Sequence, residues 1–321
     1  MASLSADLGE GLEIEPMFLN ASGILCYLDN LMDVEDHFGA LVLKSTGYEP
    51  RDGNEPPIYV NDEHSSVNAV GLPNPGRFGM AEELEEYRKW EERLYGDRRK
   101  PIIASVFAET VEKLAKIVKV LEPYVDAFEP NYSCPNIRKG EKVGIEIGKD
   151  PSRVMDCTQA VTQTTSKPVY PKFSAVCVYG DKGFCDSIRA ARDGGATGIS
   201  VINTIPKGMK INIYARRPVL SARYGGVSGP GIKYLGVGTV AFLRENFGMD
   251  FPVIGMGGIE NHEDVIEYVE AGANAVAIGT ALSGGKAGVK VKMASIYGGV
   301  KSFLDNEGVT LDELRGSAVR Q

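Results

Sequence analysis

The sequence predicts an α/β protein whose 321 residues fold as one (β/α)8 barrel. Short apolar runs alternate with amphipathic helical patterns from end to end, which is typical of a parallel sheet. Eight such units are present, and eight units close into a barrel, whereas a doubly wound open sheet usually has fewer. No composition shift marks a domain boundary. We therefore predict a single TIM-barrel domain, 1–321, with loop insertions at 46–80, 135–150 and 205–230.

The eight strands are predicted from short apolar runs. They lie at 18–23, 39–45, 101–106, 124–131, 168–173, 198–203, 251–256 and 275–280. Each is followed by apolar residues at the spacing of an amphipathic helix. These helices are predicted at 29–38, 81–96, 111–121, 151–165, 181–193, 231–247, 261–271 and 287–305. A further strand-like run, 66–71, has no helix before it, so we assign it to the long loop after the second strand.

Composition and charge exclude several classes of function. The net charge of −8 argues against a nucleic-acid partner, which calls for a basic face. Five cysteines without CxxC spacing favour free thiols in a reducing cytoplasm, and no zinc or iron–sulfur site is predicted. The acidic start, 1–15, lacks the pattern of a signal peptide, and no run of 18 apolar residues predicts a membrane span. We expect a cytoplasmic protein without a metal.

The segment Asn131-Tyr132-Ser133-Cys134-Pro135-Asn136 places a thiol between carboxamides directly after the fourth strand. In a (β/α)8 barrel, active sites lie at the rim formed by the C-terminal ends of the strands. A plain turn with a small buried cysteine would give the same string, so these six residues alone leave both interpretations open. Polar residues at the ends of other strands would share that rim. They are Ser22, Lys44, Ser45, Ser105, Lys172, Asn203 and Thr204.

These rim residues have the chemistry of a binding site. A lysine after an apolar strand is costly unless an anion or acceptor receives it, and Lys44 and Lys172 both stand at such a position. Carboxamides both donate and accept, which suits a ring with alternating C=O and N–H groups. Those available are Asn68, Asn131, Asn136 and Asn203. Gly257-Gly258 and Gly279-Thr280 predict a phosphate site after the last two strands. Turn chemistry or a solvated lysine is the alternative for any single residue.

Cys134 is the candidate general base. Histidines 37, 64 and 262 are scattered, and none joins the rim. A thiolate can abstract a proton if its site lowers its pKa or excludes water. The loop after it, 137–144, has a composition that suits a lid over the site. An ordinary solvated loop would have the same composition. The remaining cysteines, 26, 157, 177 and 185, are predicted to be structural.

Ordered motifs along nearly the whole chain carry a family resemblance. Besides Asn-Tyr-Ser-Cys-Pro-Asn they are Asn-Ala-Ser-Gly at 20–23, Leu-Lys-Ser at 43–45, Glu-Pro-Arg-Asp-Gly-Asn at 49–54, Asn-Ala-Val-Gly-Leu-Pro-Asn-Pro-Gly at 68–76, Val-Ile-Asn-Thr at 201–204 and Gly-Met-Gly-Gly-Ile at 255–259. With these motifs the chain resembles class 1 dihydroorotate dehydrogenases, the soluble FMN enzymes of pyrimidine synthesis. That family commonly has an aliphatic residue where this chain has Tyr132, and we expect little consequence.

The resemblance implies a role for each rim residue. Cys134 would take the proton from C5 of dihydroorotate while C6 passes a hydride to N5 of FMN. Lys172 would face the N1/O2 edge of the flavin and stabilise negative charge on the reduced ring. The substrate would be held by Lys44, Asn68, Gly71, Leu72, Asn131, Asn136, Asn203 and Thr204. The flavin would be lined by Ser22, Lys44, Ser45, Ser105, Asn131, Ile202 and Gly229, and its phosphate bound by Gly257, Gly258, Gly279 and Thr280.

Motifs of the third insertion resemble the branch that pairs with an FAD/[2Fe–2S] subunit and reduces NAD. They are Lys-Gly-Met-Lys-Ile at 207–211, Arg-Pro-Val-Leu at 217–220 and Gly-Gly-Val-Ser-Gly-Pro at 225–230. The stretch 21–26 instead resembles the fumarate-reducing branch, and Ser45 and Ser105 stand where the NAD-linked branch more usually has Thr and Asn. We favour the NAD-linked branch.

Four other functions stay open. One is a fumarate-reducing homodimer, and a second is another FMN barrel that acts on a pyrimidine base. The third is a phosphate-binding lyase or isomerase without redox chemistry, and the fourth is an inactive barrel that serves as a binding partner. Because the family is built on homodimers, the resemblance implies a homodimer or a heterotetramer.

Overall fold

The computed structural model describes residues 2–25, 28–96, 99–134 and 145–320. Its centre is a ring of eight short parallel strands, each lying within a run that the sequence predicts. These strands are β1 Phe18–Asn20, β2 Leu41–Val42, β3 Ile102–Val106, β4 Ala127–Pro130, β5 Lys172–Phe173, β6 Ile199–Val201, β7 Val253–Met256 and β8 Ala275–Ile278.

The ring is built from two parallel sheets that isolated bridges connect. One sheet has the strand order β1-β8-β7-β6-β5 and the other has the order β2-β3-β4. A parallel bridge between Leu19 and Ala40 connects β1 to the start of β2. On the other side, Phe128 bridges to Val169 and Asn131 bridges to Lys172, which connects β4 to β5. All eight neighbours are therefore joined in sequence order, and the predicted (β/α)8 barrel is confirmed.

Helices surround the ring and cover its apolar outer face. They are α1 Leu28–Leu31, α2 Gly76–Tyr95, α3 Val111–Leu121, α4 Ile145–Gly148, α5 Pro151–Thr162, α6 Val176–Tyr179, α7 Asp181–Asp193, α8 Lys233–Phe247, α9 His262–Glu270, α10 Gly285–Glu307 and α11 Leu311–Leu314. The local sequence explains where some of these helices begin. At the start of α3 the Thr110 side chain accepts a hydrogen bond from Lys113 N–H, and at the start of α9 Asn261 forms a capping box with Asp264. None of the described helices is both long and apolar enough to cross a bilayer.

Helix α2 begins five residues earlier than its apolar pattern predicts, at Gly76 instead of position 81. Gly76 adopts a φ of +74°, and a Cβ there would lie 2.6 Å from the backbone nitrogen of Pro50. The first turn of α2 is therefore set by close contact with the preceding loop. Because glycine has a low helix propensity, this first turn has no local signal in the sequence.

Two small antiparallel sheets close the ends of the barrel, and of their strands the sequence predicts only the run at 66–71. At the N-terminal end, Ala6–Asp7 pairs with Glu13–Ile14, and the Tyr170 hydroxyl donates to Leu8 O at 2.8 Å. At the C-terminal rim, a four-stranded sheet is built from the first and third insertions. We call it the cap sheet, and its strand order is Ile205–Gly208, Gly225–Ser228, Ser66–Asn68, Tyr59–Asn61.

The cap sheet accounts for the strand-like run at 66–71, which indeed lies in the loop after β2. Ser66–Asn68 pairs with Gly225–Ser228, and a Cβ at Gly225 would lie 2.4 Å from Asn68 O. Only glycine allows so close an approach between the two insertions. A side hairpin, Ile211–Asn212 with Arg217–Pro218, extends from the third insertion. Most of the second predicted insertion, 135–150, lies outside the described residues.

Candidate active site

A cavity of about 500 Å³ lies at the C-terminal rim, beneath the cap sheet. That volume is in the range of a small-molecule or cofactor site. Seventeen of the residues that the sequence predicts for the site line its wall. They are Ser22, Lys44, Ser45, Asn68, Gly71, Leu72, Asn131, Cys134, Lys172, Ile202, Asn203, Thr204, Gly229, Gly257, Gly258, Gly279 and Thr280.

Of the other two predicted residues, one lies away from the cavity and the structure does not describe the second. Ser105, on β3, is fully buried and does not line the cavity; its hydroxyl lies 2.8 Å from that of Ser45 and supports it from behind. Asn136 lies outside the described residues, as does the predicted lid at 137–144. Tyr132 points away from the cavity, because its ring packs edge-on against Phe173 and its hydroxyl lies 3.2 Å from Thr158 Oγ1.

Serine and asparagine side chains on neighbouring strand ends form a hydrogen-bonded network. Ser45 is its centre: its hydroxyl lies 3.2 Å from that of Ser22 and accepts from Asn131 Nδ2 at 3.3 Å. Asn203 Nδ2 donates to Asn131 Oδ1 and to Ser133 Oγ, both at 3.1 Å. The orientation of both carboxamides is therefore fixed by the protein. The network presents preorganised donors and acceptors to a bound ring.

Lys172 forms a buried ion pair that the sequence analysis missed. Its Nζ donates to Glu129 Oε1 at 2.5 Å, and each side chain is 3% exposed. Lys172 lines the cavity, whereas Glu129 lies behind it. A signal was present, since side chains two residues apart on a strand share a face and Glu129 precedes Asn131 by two. The strand prediction at 124–131 rests on the apolar residues of the run and gives Glu129 no role.

Cys134 lies in a sheltered corner of the cavity. Its side chain packs with Leu72 and Phe107, and the residue is 6% exposed. It is a free thiol, as are the buried Cys157 and Cys185. Water has little access to Cys134, which is one of the conditions for a thiolate to serve as a base. No group of three or more His, Cys, Asp or Glu in the described part of the chain is arranged to hold a metal ion.

The turn after β7 brings backbone to the cavity wall. Gly257 and Gly258 have φ values of +120° and +74°, and a Cβ on Gly258 would lie 2.7 Å from the backbone nitrogen of Lys233. The Tyr268 hydroxyl donates to Gly257 O at 2.7 Å. In a trans peptide the C=O and N–H point in opposite directions, so the Gly258 N–H faces away from Tyr268. This geometry suits an anion at the turn.

The cavity also has apolar walls and a loop-built roof that the site prediction did not include. Ile58, Tyr59, Val70 and Pro73 come from the first insertion, whereas the others follow β1, β6, β7 and β8. The added lining residues are Ala21, Gly23, Ile24, Ile58, Tyr59, Val70, Pro73, Ser228, Ile232, Met256, Ile259 and Ala277. Together with the polar network they give the cavity both apolar walls and hydrogen-bonding groups.

Comparisons with known proteins show the family of the chain. The family model described as "Dihydroorotate dehydrogenase" matches residues 9–298. The chain is 40% identical to the "Dihydroorotate dehydrogenase B (NAD(+)), catalytic subunit" of Pyrococcus horikoshii, over 93% of this chain and 92% of that protein. It is 38% identical to the protein of the same description from Thermococcus kodakarensis, over 99% of each chain.

A solved structure shares the fold. The crystal structure of DHODH from Eimeria tenella in complex with ferulenol covers 99% of this chain and is itself covered to 89%, with a TM-score of 0.83 at 18% identity. The names of the relatives confirm the resemblance to class 1 enzymes and the preference for the NAD-linked branch. By its motifs, its barrel and the extent of these matches, the chain belongs to the dihydroorotate dehydrogenase family, an oxidoreductase family that depends on FMN.

Proposed function

We propose that this chain oxidises dihydroorotate to orotate with FMN as the hydride acceptor and Cys134 as the general base. The reaction itself, a step of pyrimidine biosynthesis, follows from membership of the family. The observation that carries the finer proposal is the composition of one cavity: Cys134, Lys172 and the carboxamides Asn68, Asn131 and Asn203 all line it.

The residues present fit FMN. The cavity has a volume of about 500 Å³ and combines apolar walls with polar side chains fixed by the Ser45 network. The glycine turn after β7, at Gly257 and Gly258, supplies backbone N–H groups of the kind that bind phosphate. Lys172 would lie beside the N1/O2 edge of the ring. When bound, FMN supplies the acceptor for a hydride, which the side chains of this protein cannot provide.

The protein's own residues would position the substrate and remove a proton. Asn131 and Asn203, held in fixed orientations, would hydrogen-bond the C=O and N–H edges of dihydroorotate. Lys44 would bind its carboxylate. The Cys134 thiolate would take the proton from C5, while the hydride leaves from C6, so the substrate loses two hydrogens (two protons and two electrons in all) and becomes orotate. Packing against Leu72 and Phe107 keeps water from the thiol.

Electrons would then pass to NAD through a partner subunit that carries FAD and a [2Fe–2S] cluster. The support is the names of the relatives, which include NAD(+) and a catalytic subunit. The motifs at 207–211, 217–220 and 225–230 point the same way. The fumarate-reducing homodimer is the alternative, because the stretch 21–26 resembles that branch.

One preparation tests both levels of the proposal. The purified chain is expected to absorb in the flavin bands, to release FMN on denaturation, and to be reduced by dihydroorotate but not by dihydrouracil. Turnover is then measured with NAD, fumarate and a quinone, with and without a co-purified partner. Reduction by dihydrouracil would favour a different pyrimidine substrate. Fumarate turnover by the chain alone would replace the NAD assignment.

A further inference from the structure

The buried carboxylate of Glu129 has no role in the proposed function. Glu129 is on β4, inside the barrel, and its side chain is 3% exposed. Its register partner on β3 is Ser105, and Lys172 on β5 bridges to Asn131, two residues after Glu129. Register partners and residues two apart share a face, so the carboxylate and the ammonium meet beneath the cavity wall. The side chain of Lys172 lies between Glu129 and the cavity.

We propose that Glu129 is a positioning residue that holds the Lys172 ammonium at the cavity wall and offsets its charge, and so lowers the reduction potential of FMN bound there. The inference rests on the proposed function, since it takes FMN as the occupant of the cavity. It adds a residue that does not itself touch the ligand.

A structural role alone explains the pair poorly. Taking two charges out of water costs free energy that their attraction does not reliably repay, and apolar residues of similar volume are often as stable at such positions. Glu129 and Lys172 are each nearly fully buried, with a separation of 2.5 Å. Yet one of them faces a cavity lined by hydrogen-bonding groups. A charge pair at the wall of a ligand site is more readily explained by an effect on the ligand.

The electrostatic effect has a definite sign. The reduced flavin ring carries more negative charge than the oxidised ring, so a lone ammonium at its edge would favour the reduced form. The carboxylate 2.5 Å behind that ammonium makes the pair neutral overall and leaves only a dipole directed at the cavity. The pair therefore favours reduction less than Lys172 would alone. This smaller stabilisation of the reduced flavin matters because the flavin of such an enzyme must pass its electrons to an acceptor after each turnover.

The test is the potential of the bound flavin in a set of variants. Glu129→Gln keeps the size of the side chain and an oxygen that can accept from Lys172, but removes the charge. It is expected to shift the equilibrium toward reduced flavin by tenfold or more, which for a two-electron couple is about 30 mV in the positive direction. Lys172→Gln is expected to shift it in the opposite direction. Both are measured on FMN-loaded protein by equilibrium titration against redox dyes.

Two further variants separate this effect from a general disturbance. Glu91 is also a buried carboxylate, and it pairs with Arg88 on α2 at 2.7 Å, outside the barrel. Glu91→Gln is therefore the matched control and should leave the flavin potential unchanged. In the double variant Glu129→Gln/Lys172→Gln, the shift that Glu129→Gln produces alone should disappear, because Glu129 acts through Lys172.

The possible outcomes are distinct. An unchanged potential in Glu129→Gln, or a shift that persists in the double variant, would overturn the role of Glu129. If Glu129→Gln does not fold, Lys172→Gln still tests the proposal. An unchanged flavin potential in that variant would mean that the ion pair does not affect the flavin. By contrast, a wild-type chain that binds no FMN, or does not oxidise dihydroorotate, would remove the proposed function itself.

Discussion

The hydrogen bond from the Tyr268 hydroxyl to Gly257 O gives the sharpest test of how the glycine turn after β7, at Gly257 and Gly258, is held in place. Tyr268 is fully buried on α9, and burial raises the pKa of its hydroxyl well above the usual value. The hydroxyl also lies against α8, where a Cβ added to Gly236 would come within 1.8 Å of it. Nothing else can easily take its place. The variant Tyr268→Phe should therefore leave Gly257 O without this partner.

The magnitude follows from two hydrogen bonds. Leaving the partly buried Gly257 carbonyl without its donor costs at most about 1–3 kcal/mol of folding free energy. If Gly257 O turns to find another donor, the N–H of Gly258 turns with it, because the peptide unit is planar. Losing one backbone N–H contact to a phosphate costs about 1.5–3 kcal/mol. Since 1.4 kcal/mol is tenfold in affinity, FMN binding should weaken roughly 10- to 150-fold.

A matched control lies at the other end of the barrel. Tyr170 is also fully buried, its pKa is raised by burial, and its hydroxyl donates to Leu8 O at 2.8 Å. Tyr170→Phe should lose a similar free energy of unfolding but keep the wild-type affinity for FMN. Urea unfolding of both variants and fluorescence titration of the apoproteins with FMN make the comparison. Equal FMN affinity in both variants would refute the idea that Tyr268 holds the turn.

Three further predictions concern the base, the serine network and a buried carboxylate. Cys134→Ser should slow flavin reduction by dihydroorotate by roughly 10²- to 10⁴-fold in stopped-flow experiments, and a wild-type rate would exclude Cys134 as the base. Ser105→Ala should weaken FMN binding, because it removes the buried partner of Ser45 at 2.8 Å; titration with FMN checks this, and unchanged affinity would mean that the pair does not support the site. Burial raises the pKa of Glu35, so the folded state favours its neutral form and loses stability as pH rises through that raised pKa. Glu35→Gln should therefore be more stable than wild type in urea unfolding at neutral pH, with the gap closing below the usual glutamate pKa of about 4.3; a gap independent of pH would contradict this.

The barrel could be predicted from the sequence because each of its strands lies in a short apolar run that can be recognised locally. A run such as 101–106 is apolar, is followed by a helix of clear periodicity, and becomes β3 with little change of bounds. In the cap sheet only the run at 66–71 has such a signal. Ser66–Asn68 pairs with Gly225–Ser228, more than 150 residues further along the chain, so neither segment identifies the other locally. The N-terminal hairpin has the same difficulty, with strands of only two residues each.

The site was predictable in outline because strand ends converge on one rim, which is a property of the fold. The roof was not predictable, since Ile58 and Tyr59 reach the cavity only through the cap sheet. Ser105 shows a finer limit. It lies on the strand that the sequence predicts, but whether its hydroxyl faces a ligand or another side chain depends on packing with Ser45.

Lys172 lines the cavity, but its burial has an explanation other than a ligand. A lysine at the end of an apolar strand needs an anion, and the sequence alone indicates that a ligand supplies it. The structure supplies the anion from the protein itself, in Glu129. The lysine's burial is therefore not evidence for an anionic ligand, because the pair is neutral overall. Its position at the cavity wall remains, and a neutral pair suits a ring whose charge changes during turnover better than a fixed phosphate. The phosphate is better assigned to the turn that Tyr268 holds, where backbone N–H groups require no counter-charge.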